Sequence, residues 1–546
     1  MSFEVDLLLR NASILTMDDQ RPSAHTLAVH HGRVFALDEA GLCGRLEIDA
    51  QGATVVPGFG DAHNHMAWFG QSLSSVDLRG LDALSELYDR IAERAQTLPP
   101  DAFVMGAGYD DTAIGGHPHR RALDKASGGR PVVLRHRSGH VTTVNSPVLE
   151  RLGVLDGSAE VPTGGVVVRD EHGDPTGTLE EQAQNLVNPL LVPYPTGELV
   201  EAIGRASAIY AAEGLTHVTE CGIGGGWVGR TPVELAAYQR AREAGTLTVR
   251  VQLMPVADAL HPLAAHPEDD LNRGLDLGLC TGFGDDRLRI GPMKIFMDGS
   301  LVARTAAMLA PFCDRHSHGY LQDDPELLRT QIVDAHASGW RVAAHAIGDA
   351  AIDLALDIFA EAQRRHPRPD ARPRIEHAAV TNPAQIARMA ELGVTPVPQA
   401  RFLYELGDTM AAAIGPDRAD GLYRHGAFLR AGLRVPGSSD RPVATGAPLL
   451  GMQSMVQRLT SGGAVLGPDE RVDALTALRA YTTDAAWIAG EEHTRGTLTP
   501  GKLADFVLLG DDITTIPADR IGTTEVVATF LGGTCVHGPR EWQVVL

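Results

Sequence analysis

GWRVAAH, residues 339–345, carries the pattern that decides the fold: a glycine, an apolar run, and a polar side chain at its end. The pattern recurs in GLTHVTE (214–220) and GVTPVPQ (393–399), where Glu220 and Gln399 are again the sixth residue after glycine. In GLRVPGSSD (432–440) Asp440 is the eighth, which keeps the same parity along a strand. Amphipathic stretches such as GELVEAIGRASAIYAAEG, PELLRTQIVDAHASG and NPAQIARMAELG lead into these glycines. A glycine C-cap feeding a buried strand accounts for each joint. Repeated units of this kind predict an α/β fold, a (β/α)8 TIM-like barrel with its chemistry at the carboxyl ends of the strands. A doubly wound open sheet needs a crevice at a switch point, and no GxGxxG occurs before residue 200.

Outward from the barrel, both chain ends read as short strands and turns. VDLLLRNASILTM, HTLAVHHGRVFAL and ATVVPG precede residue 60, and LADFVLLG and EVVATFLGGTCVHG close the chain. Residues 1–56 and 484–546 are therefore expected to build one composite β-sandwich domain, with the barrel over 57–483. Between the first barrel strand and about residue 210 lie more residues than one βα unit needs. An inserted lid or subdomain is expected within about 70–200. There PVVLRHRSGHVTTVN reads as a strand and GGVVVRDEHGDPTGTL as a hairpin.

The chain has 546 residues, with 47 basic and 69 acidic side chains, so its formal charge is −22. That balance argues against nucleic acid and anionic membrane as partners. No apolar run approaches the roughly 18 residues of a membrane-spanning helix, and the start of the chain lacks a basic n-region. Five scattered cysteines without a CxxC argue against a disulfide framework or a cysteine zinc site. A cytoplasmic location is expected. Only Lys125, Lys294 and Lys502 are lysines, the other 44 basic residues being arginine. Arginine replaces lysine as a surface charge but not as a modifiable amine, so each lysine carries information.

His63 and His65 in GATVVPGFGDAHNHM end an apolar run and share one strand face, a half-site for a divalent metal. The other two HxH pairs, His117/His119 and His316/His318, lie in polar, proline- or arginine-containing stretches and read as loops. Lys294 lies in RIGPMKIFMDGS, a buried strand with Lys294, Phe296 and Asp298 on one side. A buried ammonium is costly unless paired. Two readings stay open for it: an ion pair with Asp298 or a carboxylate across the barrel, or a lysine carboxylated by carbon dioxide that becomes an anionic ligand. His345 and His377 each close an apolar run, and Asp440 places a carboxylate at the end of the last candidate strand.

The ordered set PGFGDAHNH, MKIFMDGSL, AAHAIGD, RIEHA, GSSDRP and GTLTPGKLADFVLL resembles the amidohydrolase superfamily, and most of all its branch of N-substituted formamide deformylases. The resemblance runs over nearly the whole chain. It implies His63 and His65 as metal ligands from strand 1, Lys294 as the N6-carboxylated bridge, and His345 and His377 as ligands from strands 5 and 6. It makes Asp440 the strand-8 metal ligand and proton shuttle, and His140, in SGHVTTVN, a catalytic-site residue. Trp68, Asp298 and Gln399 are expected to contact substrate. The cofactor implied is a divalent metal, zinc, as one or two ions. A small-molecule substrate and a homodimeric assembly are the partners expected. Arg441, the QARF stretch and Glu220-Cys221, taken as the end of strand 3, depart from the family's usual residues.

The activity implied is cleavage of a non-peptide C–N bond, in an amide or N-substituted formamide, by metal-activated hydroxide. Deamination of a nitrogen heterocycle on the same site is the second reading. A catalytically silent metal-binding regulator is the third, and retention of all six candidate ligands counts against it. A serine nucleophile lacks its GxSxG.

Overall fold

Gly393 shows how helix turns into strand in this chain. Its φ of +66° places it in the left-handed region, where its N–H closes the helix Pro383–Leu392 onto Met389 and Ala390. A side chain there would be strained, so glycine is the residue that lets the chain turn. Gly339 does the same at φ +91° after the helix Pro325–Ala337.

The computed structural model describes residues 3–136, 141–162, 165–225, 228–313 and 316–543. Contacts divide the chain into two units, residues 1–66 with 203–546, and residues 67–202. In the first unit, Leu288–Ile290, Arg250–Pro255, Leu215–Ile223 and Phe59–Asn64 form a parallel sheet in that order. Met293–Phe296, Val342–Ala346, Arg374–His377 and Thr395–Val397 form a second parallel sheet. A parallel bridge between Val256 and Lys294 joins the two. On the far side, residues 437–441 run along Phe59–Asn64. Ala62 N donates to Gly437 O at 2.9 Å, Asp440 N to His63 O at 2.7 Å, and His65 N to Arg441 O at 2.9 Å. Parallel strands alternating with helices make this an α/β fold of TIM-barrel type. Its strands are buried on both faces, all nine residues of Leu215–Ile223 among them, which is why they read as continuous apolar runs. Ile295, Val342 and Ile375 from the strands pack with Leu328, Ile352, Phe359 and Ile386 from the helices.

Within the same unit, the chain ends pair in two sheets. One has the order Arg33–Leu37, Leu27–His30, Phe3–Arg10, Leu42–Asp49. The other runs Thr534–His537, Val526–Leu531, Phe506–Leu509, Thr54–Pro57, Ser13–Leu15, Ser23–Ala24. Leu7, Leu9, Val29, Val55, Phe506 and Phe530 form their shared core.

The unit 67–202 carries its own six-stranded sheet, in the order Gly165–Arg169, Pro175–Glu181, Val141–Val144, Val132–His136, Val104–Tyr109, Val76–Asp77. Two sequence expectations are corrected here. PVVLRHRSGHVTTVN is not one strand but two antiparallel ones, with Val133 opposite Val144 and Arg135 opposite Thr142. Glu220 does not end a third strand: Leu215–Ile223 pairs directly with Phe59–Asn64 and is second in order. The strands of 67–202 pair with one another, and none stands between those two. All five cysteines are free thiols. Among the described residues, no helix is long and apolar enough to cross a membrane.

Candidate metal centre

The strand Phe59–Asn64 delivers His63 and then His65 at its carboxyl end, both buried, with ring centroids 5.5 Å apart. His63 Nδ1 is hydrogen-bonded to the Glu376 carboxylate. Its Nε2 lies 3.3 Å from Asp440 Oδ1, and His65 Nε2 lies 2.9 Å from the same oxygen. His377 closes its strand with Nδ1 2.7 Å from Gln399 Oε1, and its ring lies 4.9 Å from that of His63. His345, one strand over, is 4.5 Å from His377 ring to ring, with Nε2 3.0 Å from Gly299 O. His63, His377 and Asp440 each offer a ligand atom within 4.8 Å of the others.

Lys294 is buried, and among the described residues its Nζ has no hydrogen-bond partner; it lies 4.9 Å from the centre of the Phe296 ring. The ion pair with Asp298 is therefore not formed. Asp298 instead accepts the backbone N–H groups of Ala307, Ile347 and Gly348, at 2.9, 3.0 and 2.8 Å. Gln399, also expected at the substrate, holds His377 through Oε1 and reaches Val397 O and Ser438 Oγ through Nε2. Trp68 is half-buried on the helix Met66–Ser72, in the unit 67–202. His140 lies outside the described residues.

Three residues that pattern reading passed over complete the centre. Glu376 orients His63, and Arg374 pairs with Glu376 while donating to Ala62 O at 2.6 Å. Asp61 accepts from His63 N, Asn64 Nδ2 and Ser439 N and Oγ, tying the first strand to 437–441. Strand alternation would point Glu376 away from its neighbour His377. The backbone breaks that alternation, with φ +71° at His377 and +43° at Ala378. Asp440 also sits at φ +57°. Non-glycine residues held there cost about 1–3 kcal/mol each, and such strain gathers at functional sites. The one signal in the sequence was the pair of charged residues Arg374 and Glu376 beside His377 on a short strand.

The field of the site favours a cation. Burial pushes His345 down to about 3 and His377 well below the usual imidazole range, which favours the neutral imidazole at both. Burial also lowers Lys294, against the pull of Glu376, Cys221 and Asp440. Burial opposes the charge on Asp440, yet His63, His65 and His377 hold its pKa well below the carboxylate range. His63 goes the other way: burial opposes its charge, but Cys221, Glu376 and Asp440 outweigh burial. A proton on His63 and a metal cation would compete for that field.

The donor set fits a divalent metal. It joins imidazoles, an ionised carboxylate and a buried amine without a hydrogen-bond partner among the described residues, and outer carboxylate and amide groups fix His63 and His377.

Comparison with known proteins agrees with this chemistry. A family model described as "Amidohydrolase family" matches residues 46–537. The N-substituted formamide deformylase of Arthrobacter pascens is 31% identical, over 97% of this chain and 97% of its own length. Protein LONG AFTER FAR-RED 3 of Arabidopsis thaliana is 31% identical, over 97% of this chain and 91% of its own. Among solved structures, an uncharacterized metal-dependent hydrolase from Pyrococcus horikoshii superposes with a TM-score of 0.77 at 27% identity, covering 94% of this chain and 99% of that one.

Proposed function

Because the chain belongs to the amidohydrolase family, we propose that it hydrolyses a non-peptide C–N bond in an amide or N-substituted formamide. The observation that carries this reading is the convergence of His63, His377 and Asp440 beside a buried Lys294 Nζ with no partner. The deformylase relative, alike over nearly its full length, supports the substrate class. The same reading takes the parallel strands as an eight-stranded barrel, whose carboxyl ends are where such folds carry chemistry.

His63, His65, His345, His377, Asp440 and a carboxylated Lys294 would hold one or two divalent ions, for which a nitrogen and oxygen donor set suits zinc. Such a metal supplies Lewis acidity, polarising a carbonyl and acidifying water toward neutral pH. From the ammonium form, carboxylation of Lys294 takes up carbon dioxide and releases two protons, which replaces a buried cation by an anion. Asp440, ionised between His63 and His65, accepts a proton from the attacking water and passes it to the leaving nitrogen. Glu376 and Gln399 fix the Nδ1 atoms of His63 and His377, so each Nε2 keeps its lone pair for the cation.

The test is a panel of N-substituted formamides and simple amides, assayed for formate or carboxylate and for amine. Turnover should vanish with a chelator and return with zinc. Ammonia from amino-heterocycles, with no formamide or amide turnover, would replace this reading with deamination.

A further inference from the structure

His117, set aside in the sequence as one half of a loop HxH, lies among other metal-ligating groups in the unit 67–202. His119, its partner in the motif, does not join them: its Nδ1 accepts from Arg121 N and caps the helix Arg120–Ser127. Asp110 and Asp111 directly follow the strand Val104–Tyr109. His136 ends the neighbouring parallel strand, with Tyr109 opposite it in register. Two parallel strands thus present two carboxylates and an imidazole at their carboxyl ends, where α/β sheets gather ligands.

We propose that Asp110, Asp111, His136 and His117 form a second divalent-cation site, built from residues other than those of the His63 centre. One ligand atom from each of Asp110, Asp111 and His136 falls within 4.8 Å of the others. The two oxygens of Asp111 face different imidazoles: Oδ1 is 3.0 Å from His136 Nε2 and Oδ2 is 3.8 Å from His117 Nε2. The Tyr109 hydroxyl is 2.8 Å from Thr143 Oγ1 and 3.1 Å from His117 Nδ1. With Tyr109 donating to Thr143 and accepting from His117 Nδ1–H, the lone pair of His117 is on Nε2, toward Asp111. An outer oxygen fixing the tautomer of a ligating histidine is the usual support for such a ligand. Side-chain exposures of 36% for Asp111, 30% for His117 and 10% for His136 leave the group open to ions from solvent.

Two imidazoles with two carboxylates suit a borderline first-row ion such as zinc, and four protein donors are the count of a structural site. Its effect would be to pin the Asp110–His117 segment to the end of Val132–His136. A plain Asp111–His136 ion pair accounts for the 3.0 Å contact. It does not account for the approach of Asp110 and of His117 Nε2 to the same carboxylate.

The test uses the full chain with zinc chloride as the probe. Anomalous diffraction above the zinc edge should give a peak between Asp111 and His136. Zinc content after dialysis should fall by one equivalent in Asp111→Asn/His136→Gln, and that equivalent should persist in His63→Asn. Asp110→Asn should need about tenfold more free zinc to fill the same site. Circular dichroism checks folding. If the double variant unfolds, the wild-type anomalous map and the Asp110→Asn titration decide. No peak at Asp111, with equal zinc content in wild type and variants, would overturn the proposal.

Discussion

The two ends of the same parallel strands treat charge differently. Near where the strands begin, arginines hold the buried carboxylates. Arg250 grips Asp505 through two bonds of 2.7 and 2.9 Å, and Arg289 and Arg495 both hold Glu491. Where the strands finish, Asp440 is shared by two imidazoles, Lys294 Nζ has no partner, and His377 and Asp440 adopt left-handed backbone. A buried carboxylate held by arginine serves the fold. A buried amine with no answer is costly to the fold alone and makes sense as part of a site that is completed by something else.

The contrast can be broken by exchanging outcomes between the two ends. Asp440→Asn should lower kcat by about 10²–10⁴, the range for losing a general acid–base group, with little change in thermal melting. A melt shifted as far as that of a core variant would instead make Asp440 structural. Asp505→Ala should do the reverse. Leaving Arg250 buried and alone should cost about 3–5 kcal/mol of stability in denaturant unfolding, while the rate per folded molecule stays the same.

Between these lies Glu376→Gln, which weakens the outer support of His63. Metal affinity, read by competition with a chromophoric chelator, should drop about 10–100-fold. An unchanged affinity would reduce Glu376 to a partner of Arg374.

The smallest effect concerns Asp298, which burial pushes from the usual 3.8 up to about 7, against the backbone donors Ile347, Gly348 and Ala307. The folded chain then binds a proton that the unfolded chain has lost. Its contribution to stability is complete below the unfolded value and disappears as pH rises through about 7. Melting of metal-free protein should fall slightly between about pH 6 and pH 8, and Asp298→Asn should flatten that slope. An equal slope in the variant would place the titration elsewhere.

The buried polar residues of the candidate centre were legible because each is encoded locally. An apolar run that carries or ends in a histidine, lysine or aspartate announces itself in His63, Lys294, His345, His377 and Asp440. What surrounds them was not. Glu376 fails the alternation rule because φ at His377 is positive, and no local pattern foretold that. Gln399 and Asp298 were placed at the strand ends but were read as substrate contacts. Their partners, His377 in one case and the 307 and 347–348 backbone in the other, lie on other segments. Glu220 was misplaced by one strand because an insertion's length does not say whether it adds a strand to the sheet. Asp110 and Asp111 meet His136 through strand pairing, which sequence spacing cannot express.

The central claim is that Lys294 does not remain a cation. Wild-type protein equilibrated with ¹³C-bicarbonate and zinc should show a carbamate carbon by NMR. Lys294→Arg, which keeps the charge but cannot be carboxylated, should lack that signal, lose bridging metal and lose most of its activity. Full metal content and full rate in Lys294→Arg would contradict the account.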